Sequence, residues 1–145
     1  MDSQITFQKQ SIPFEAEPNI AEPHVEVSDN NLVLSFAAKD SDTDAVVTFI
    51  EPLIYRIGSP NDEGFYGFGS DPRIKNDSIY SRKSFPNLDF GDFHQVSGVD
   101  WKNNLLGEGT KILDEKYKER EGFSHYIFFM KDGTFECVAR SWKVE

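Results

Sequence analysis

Apolar and polar residues alternate along much of this chain, and a period of two residues is typical of strands that bury one face of a sheet. From residue 24 onward the apolar positions lie on both sides of a polar Ser-Asp-Asn-Asn sequence, at Val25, Val27, Leu32, Leu34 and Phe36. Residues 24–36 are therefore predicted to form a β-hairpin.

Further strands are indicated by β-branched and aromatic residues in two places. Residues 45–57 form a long stretch of this kind, in which Pro52 marks a bulge, an edge or a break between two strands. Residues 93–97 are predicted to form another strand. The first 23 residues contain three prolines and are expected to form an arm or an edge strand, so that residues 24–145 make up a single globular domain.

The C-terminal end contains the most strongly specified element, a second hairpin. Asp132-Gly133 is a preferred central pair of a two-residue type I′ turn, because both positions need a positive φ. A turn centred there places Phe129 opposite Glu136. The other face of this hairpin is apolar throughout and is predicted to face the core, and it consists of Tyr126, Phe128, Met130, Phe135, Cys137 and Ala139.

One or two helices are predicted near residues 98–120. Ser97 and Asp100 have the spacing of a capping box, and Trp101 begins an apolar face. Residues 110–120 carry a thin apolar stripe on a charged segment, which is typical of an exposed helix. No βαβ alternation is visible, so the predicted fold class is mainly β (α+β), as an antiparallel β-sandwich or a partly open barrel with these helices.

The composition narrows the class of protein. Twenty aromatic residues and a hydrophobic content of 38% exclude a wholly disordered chain. A formal charge of −10 argues against a general nucleic-acid binder, and no apolar run is long enough to span a bilayer. The single cysteine, Cys137, allows no internal disulfide, and residues 1–23 lack the pattern of a secretory signal, so a cytoplasmic location is expected.

The negative charge lies almost wholly in the first part of the chain. Residues 1–64 contain twelve acidic and three basic residues, whereas residues 65–145 contain thirteen acidic and twelve basic ones. Solvated strand faces and loops are one interpretation of this excess. The other is an acidic surface that steers and holds a basic partner.

An Asp-rich string between the predicted strands has the spacing of a calcium loop. Asp40, Asp42 and Asp44 fall at positions 1, 3 and 5, and Glu51 falls at position 12. Ala45 stands where the sharp turn of such a loop requires glycine, and a strand follows instead of a helix. A polar connecting loop is therefore favoured, and no metal site and no cofactor are predicted.

Two groups of residues are candidates for an acid/base site, because a histidine beside a carboxylate can transfer protons. His94 is close in sequence to Asp89 and Asp92, and His125 shares the outer face of the second hairpin with Glu136. In the predicted register Arg140 is the direct cross-strand neighbour of His125, which disfavours the imidazolium form. Structural roles are favoured for these histidines, and the core position of Cys137 predicts an inert thiol.

The glycine- and aromatic-rich string at residues 64–69 has the wrong spacing for a phosphate-binding loop and is interpreted as a bent strand. An aromatic platform for a small ligand is the alternative.

Two strings resemble those of a family of small bacterial proteins of uncharacterised activity. One is the loop Pro60-Asn61-Asp62-Glu63, and the other is the hairpin sequence with Asp132 and Thr134-Phe135-Glu136-Cys137. Lys131 stands where that family has a histidine, and Gly133 stands where it has a serine. The resemblance implies a bacterial, cytosolic, single-domain protein and supplies no catalytic residues.

Together these observations favour a non-enzymatic interaction domain that binds a basic protein, as an inhibitor of a basic toxin or nuclease would. The predicted contact residues are Asp40, Asp42, Asp44, Asp62 and Glu63. The alternative is a small-ligand binder or hydrolase-type enzyme with a pocket that contains His94, Asp92, His125 and Glu136. A structural subunit of a homo-oligomer is a third class compatible with the sequence.

Overall fold

The computed structural model describes residues 6–12, 24–38, 43–58, 93–103, 109–130 and 133–144. Within these ranges the chain forms ten strands and one short turn of 3₁₀ helix, Tyr117–Glu119. The strands are β1 (Thr6–Lys9), β2 (His24–Ser28), β3 (Asn31–Ala37), β4 (Asp44–Ile50), β5 (Ile54–Gly58), β6 (Phe93–Ser97), β7 (Lys111–Ile112), β8 (Ser124–Met130), β9 (Gly133–Ala139) and β10 (Ser141–Val144).

The strands form two antiparallel sheets that pack face to face as a sandwich. One sheet has six strands in the order β1-β6-β8-β9-β5-β7, and the other has four in the order β10-β4-β3-β2. The prediction of a mainly β sandwich is confirmed, and the barrel alternative is wrong because the sheets do not close on each other. Pro52 marks a break between strands β4 and β5.

A core of aromatic rings fills the space between the sheets. Phe49 of β4 lies within 5.6 to 6.0 Å of three rings of the six-stranded sheet, measured between centroids. Phe93 and Phe128 stack with centroids 4.5 Å apart. Cys137 is wholly buried among these rings, and burial raises the pKa of its thiol well above the ordinary value. The predicted core position of this cysteine is confirmed.

A smaller apolar cluster lies on the opposite face of the six-stranded sheet. It contains the buried side chains of Leu53, Ile54, Tyr117 and Val138, with Trp101 and Phe123 packed against them. The 3₁₀ turn is therefore held in place by Tyr117, which is 8% exposed. No helix in the described ranges is long and apolar enough to cross a membrane.

The α-helices predicted near residues 98–120 are not present in the described part of that segment, which contains the short 3₁₀ turn instead. Asp100 accepts a bond from the Asn103 amide at 3.3 Å, which stabilises a local turn instead of an α-helical N-terminus. Farther along, β7 pairs with β5, and the amides of Leu113 and Asp114 both donate to the Leu53 carbonyl. These backbone groups are satisfied by tertiary partners, so helical hydrogen bonds are not needed.

The register predicted for the second hairpin is wrong by two residues. Met130 pairs with Gly133, and Ile127 therefore lies opposite Glu136, where Phe129 was expected. Gly133 belongs to β9 and is not a central turn residue. A shift of two residues leaves every side chain on its predicted face, which is why Phe128, Phe135 and the other described core positions are as expected.

Candidate functional site

Most of the acidic residues predicted as contacts lie outside the described residues. This applies to Asp40, Asp42, Asp62 and Glu63, and also to Asp89, Asp92 and the glycine-rich string at residues 64–69. Asp44 is exposed at the start of β4, opposite Ala37 of β3. Since β4 is extended, Asp44 is separated by roughly 20 Å of strand from Ile50, the residue before Glu51, which is incompatible with a calcium loop that contains both acids.

His125 and Glu136 are brought together on the outer face of the six-stranded sheet. His125 Nε2 lies 3.2 Å from Glu136 Oε2, and the Arg56 guanidinium lies 3.8 Å from the other carboxylate oxygen. These three side chains are 2%, 0% and 3% exposed. Arg140, the predicted neighbour of His125, instead follows β9 and is exposed, and Val138 lies opposite His125.

His94 lies on the neighbouring strand β6 and is also buried, with its ring edge-on to Phe7 of β1. The register places His94 opposite Ile127, on the same face as His125. Among the described residues, His125 Nδ1 has no hydrogen-bond partner. His125 and Glu136 are thus within hydrogen-bond distance of each other. Both side chains are buried, and neither lines the open groove described next.

An open groove of about 720 Å³ lies at one end of the sandwich. The turn between β2 and β3, the β4–β5 connection and residues 113–123 form its walls. Five of its lining residues are apolar, namely Val27, Pro52, Leu53, Leu113 and Phe123. Seven charged side chains also line it, namely Asp29, Glu51, Asp114, Glu115, Lys116, Arg120 and Arg140.

Glu51, one of the lining residues, has an uncommon backbone conformation. Its φ is +52°, in the left-handed region that non-glycine residues seldom adopt. The Glu51 amide donates to the Asn30 carbonyl at 2.7 Å, and its carboxylate accepts from Arg140 Nε at 2.7 Å. The Arg140 guanidinium also lies 4.7 Å from the centre of the Phe123 ring. Such strain at a groove is a common property of binding sites.

The other wall is organised around Asp114. Its carboxylate accepts from Arg120 Nε at 2.8 Å and from the Lys116 amide at 2.9 Å. These two bonds, with the Arg120 bond as the larger contribution, lower the pKa of the Asp114 carboxyl. The hydrogen bond to Asp114 is the main cause that raises the pKa of the Arg120 guanidinium, and the charge of Glu51 adds a small contribution in the same direction.

The shift at Asp114 predicts a pH-dependent contribution to stability. A carboxyl whose pKa is lower in the folded state stabilises the fold above its unfolded pKa of about 3.9, and this contribution disappears as the pH falls through the folded pKa. Asp114→Asn is therefore expected to lower the urea midpoint at pH 7 and to leave it equal to that of the parent chain well below pH 3. A gap between the two midpoints that persists in acid would contradict the ion-pair assignment.

The described N-terminal strands expose carboxylates and hardly any cations. In the described parts of residues 24–58, the exposed ionisable side chains other than His24 are Glu26, Asp29, Asp44 and Glu51. Arg56, the one basic residue in those parts, is buried beside Glu136. Among the residues that the structure describes, no group of three or more His, Cys, Asp and Glu side chains has a geometry that could hold a metal ion.

Sequence reasoning missed Arg56 as the partner of Glu136 and missed the groove. Arg56 precedes Ile57 on a strand with apolar neighbours, and only the pairing of β5 with β9 brings it to Glu136. The groove joins segments far apart in the chain, since Arg140 bonds to Glu51. No local motif signals either arrangement.

Comparison with protein-family models, with curated proteins and with solved structures gives no match to this chain. The resemblance of its loop and hairpin to a bacterial family therefore stays a prediction.

Proposed function

We propose that this protein is a non-enzymatic binding domain that takes a basic segment of a partner protein into the groove. The observation that supports this most directly is that four carboxylates line the groove with apolar residues, against three basic side chains, two of which are already paired with acids. Asp29 and Glu51 come from the N-terminal half of the chain, and Asp114 and Glu115 come from the opposite wall. Two acids from the C-terminal half of the chain thus lie beside two acids from residues 1–64, where most of the excess negative charge lies.

The construction of the groove suits lysine and arginine side chains. Their aliphatic stems pack on apolar surface while their charged ends remain in a polar environment. Val27 and Phe123 are partly exposed and provide such a surface, and the carboxylates line the same groove. Two of these acids already pair with Arg120 and Arg140, whereas no ion pair between described residues involves Asp29 or Glu115.

A catalytic role for His125 and Glu136 is not part of this proposal. Their side chains are 2% and 0% exposed, and they lie outside the groove. A substrate that reached them would have to displace packed side chains. The buried pair is explained by its role within the sheet, which the stability experiments below address.

The proposal predicts that a change in the groove weakens binding more than the same change in charge elsewhere. The groove variant is Asp29→Asn with Glu115→Gln, since asparagine tolerates the φ of +50° at position 29. The matched control is Asp44→Asn with Glu121→Gln, two exposed acids outside the groove. Calorimetry with a short peptide of alternating lysine and valine at low salt is expected to show roughly tenfold weaker binding for the groove variant.

For the control variant we expect a loss of less than about threefold, which is the effect of overall charge alone. The affinity of the parent chain should fall as salt is added. Equal losses in the two variants, or no binding of the peptide by the parent chain, would contradict the proposal.

A further inference from the structure

Strand β2 is an exposed edge of the four-stranded sheet. The side chains of His24 and Glu26 are 69% and 73% exposed, and that of Val27 is 43% exposed. Within the described strands β2 pairs with β3 alone, so its other edge carries main-chain donors and acceptors that no neighbouring strand of the sheet uses.

The hairpin geometry identifies which main-chain groups point outward. Asp29 and Asn30 form a two-residue turn, and Ser28 lies opposite Asn31. In such a hairpin the flanking pair is hydrogen-bonded, and bonded and non-bonded pairs alternate from there along the ladder. Val25 and Val27 therefore occupy non-bonded positions with respect to β3. Their N–H and C=O groups point away from the sheet, toward the open edge.

The other edge strands each carry a lysine, and β2 does not. Lys9 lies on β1, Lys111 on β7 and Lys143 on β10. Lysine on an edge discourages the addition of another strand. On β2 the corresponding exposed charge is Glu26, which repels acidic strands and attracts basic ones.

The edge of β2 is continuous with the groove. Val27 lies on the inner face of its sheet, opposite Leu32, and it also lines the groove. In a sheet, side chains of neighbouring strands stand beside each other on the same face. A residue added next to Val27 would therefore direct its side chain into the groove, whereas a residue next to Glu26 would lie on the outer face.

We propose that the partner binds by adding one extended segment to the edge of β2, with an apolar residue beside Val27 and a basic residue beside Glu26. Past Ser28, where β2 ends, the segment leaves the sheet, and its next basic side chain enters the groove, whose lining includes Asp29 and Glu115. This inference rests on the proposed function and specifies the conformation of the basic segment. The main-chain groups of Val25 and Val27 supply the hydrogen bonds, and Glu26 selects the charge. A second copy of this chain is a poor occupant, because antiparallel pairing of two β2 strands brings the carboxylates of Glu26 close to each other.

Backbone methylation of the peptide separates strand addition from simple charge attraction. Two further peptides have the same lysine–valine sequence. In one of them the main-chain nitrogen of every valine carries a methyl group, and in the other the main-chain nitrogen of every lysine does. Alternate amides of a strand point to opposite edges, so only one of these peptides loses the donors that face β2. We expect one form to bind within about threefold of the parent peptide and the other to bind at least roughly tenfold more weakly.

Two measurements on the protein complete the test. Hydrogen exchange at the amides of Val25 and Val27 should slow when the parent peptide is bound. Glu26→Lys places a lysine on β2, as on the other edge strands, and should weaken binding at least about tenfold. Glu121→Lys changes another exposed acid in the same way and should weaken binding by about threefold or less.

Equal affinity for both methylated peptides would overturn strand addition and leave the proposed function standing, because the side-chain charges are the same. No binding of any peptide would overturn both. A dimer of the free protein in which the Val25 and Val27 amides are already protected would identify a second copy as the occupant and would also overturn the proposal.

Discussion

Glu136→Ala is expected to lower the free energy of unfolding by roughly 3–5 kcal/mol, a large part of the stability of a domain of this size. The Glu136 carboxylate is wholly buried between Arg56 and His125. Its removal leaves the buried guanidinium of Arg56 without this compensating charge, and the desolvation cost of that charge remains. Urea denaturation followed by tryptophan fluorescence measures the loss.

Two variants separate the charge from the cavity that alanine also creates. Glu136→Gln keeps the volume and the capacity to accept hydrogen bonds, so its loss should be smaller than that of alanine. The double variant Arg56→Met with Glu136→Leu removes both charges and should be more stable than Glu136→Ala alone. If alanine at 136 costs less than about 0.5 kcal/mol, the pair does not carry the stability assigned to it.

Phe49→Ala is expected to cost about 3–5 kcal/mol through a cavity between the two sheets. The Phe49 ring is fully buried and approaches Phe93, Tyr126 and Phe135 at centroid distances of 5.6 to 6.0 Å. The partner rings belong to the other sheet, so the substitution weakens the contact that holds the sandwich together. The free energy of unfolding from urea titration is the measure.

Phe49→Leu should lose less than alanine, because it fills more of the same space. Val33→Ala on the outer face of β3 should cost less than about 1 kcal/mol, since that side chain lies on the face away from the core. A loss at Val33 as large as that at Phe49 would mean that the packing between the sheets is not the main apolar interface of the protein.

The faces of the strands could be predicted from the sequence, but the pairing of residues could not. The side chains of Phe128 and Phe135 point to the core in both the predicted and the observed register, because the two registers differ by an even number of residues. Hydrophobic alternation is therefore unable to choose between them. Turn preference favoured Asp132-Gly133, whereas Gly133 is the first residue of β9.

Most of the candidate site could not be predicted from the sequence, because its residues contact each other only across long distances in the chain. The bond from Arg140 to Glu51 joins the β9–β10 connection to the end of β4, next to the pairing of Ser141 with Ile50. The proximity of His125 and Glu136 could be predicted, since both lie on one face of the hairpin. Residues 110–120 were expected to be helical, and the pairing of β7 with β5 overrides that local preference.

The order of the strands has a consequence for how the chain reaches this structure. The acidic half supplies β4 and the C-terminal end supplies β10, and Phe49 pairs directly with Trp142. Likewise β5 lies between β9 and β7. Pairing between residues so far apart in sequence slows folding, because a long loop must close before the contacts are gained. During synthesis the six-stranded sheet can be completed only after β9 has emerged and the four-stranded sheet only after β10 has, so strands from the acidic half remain without their C-terminal neighbours until then.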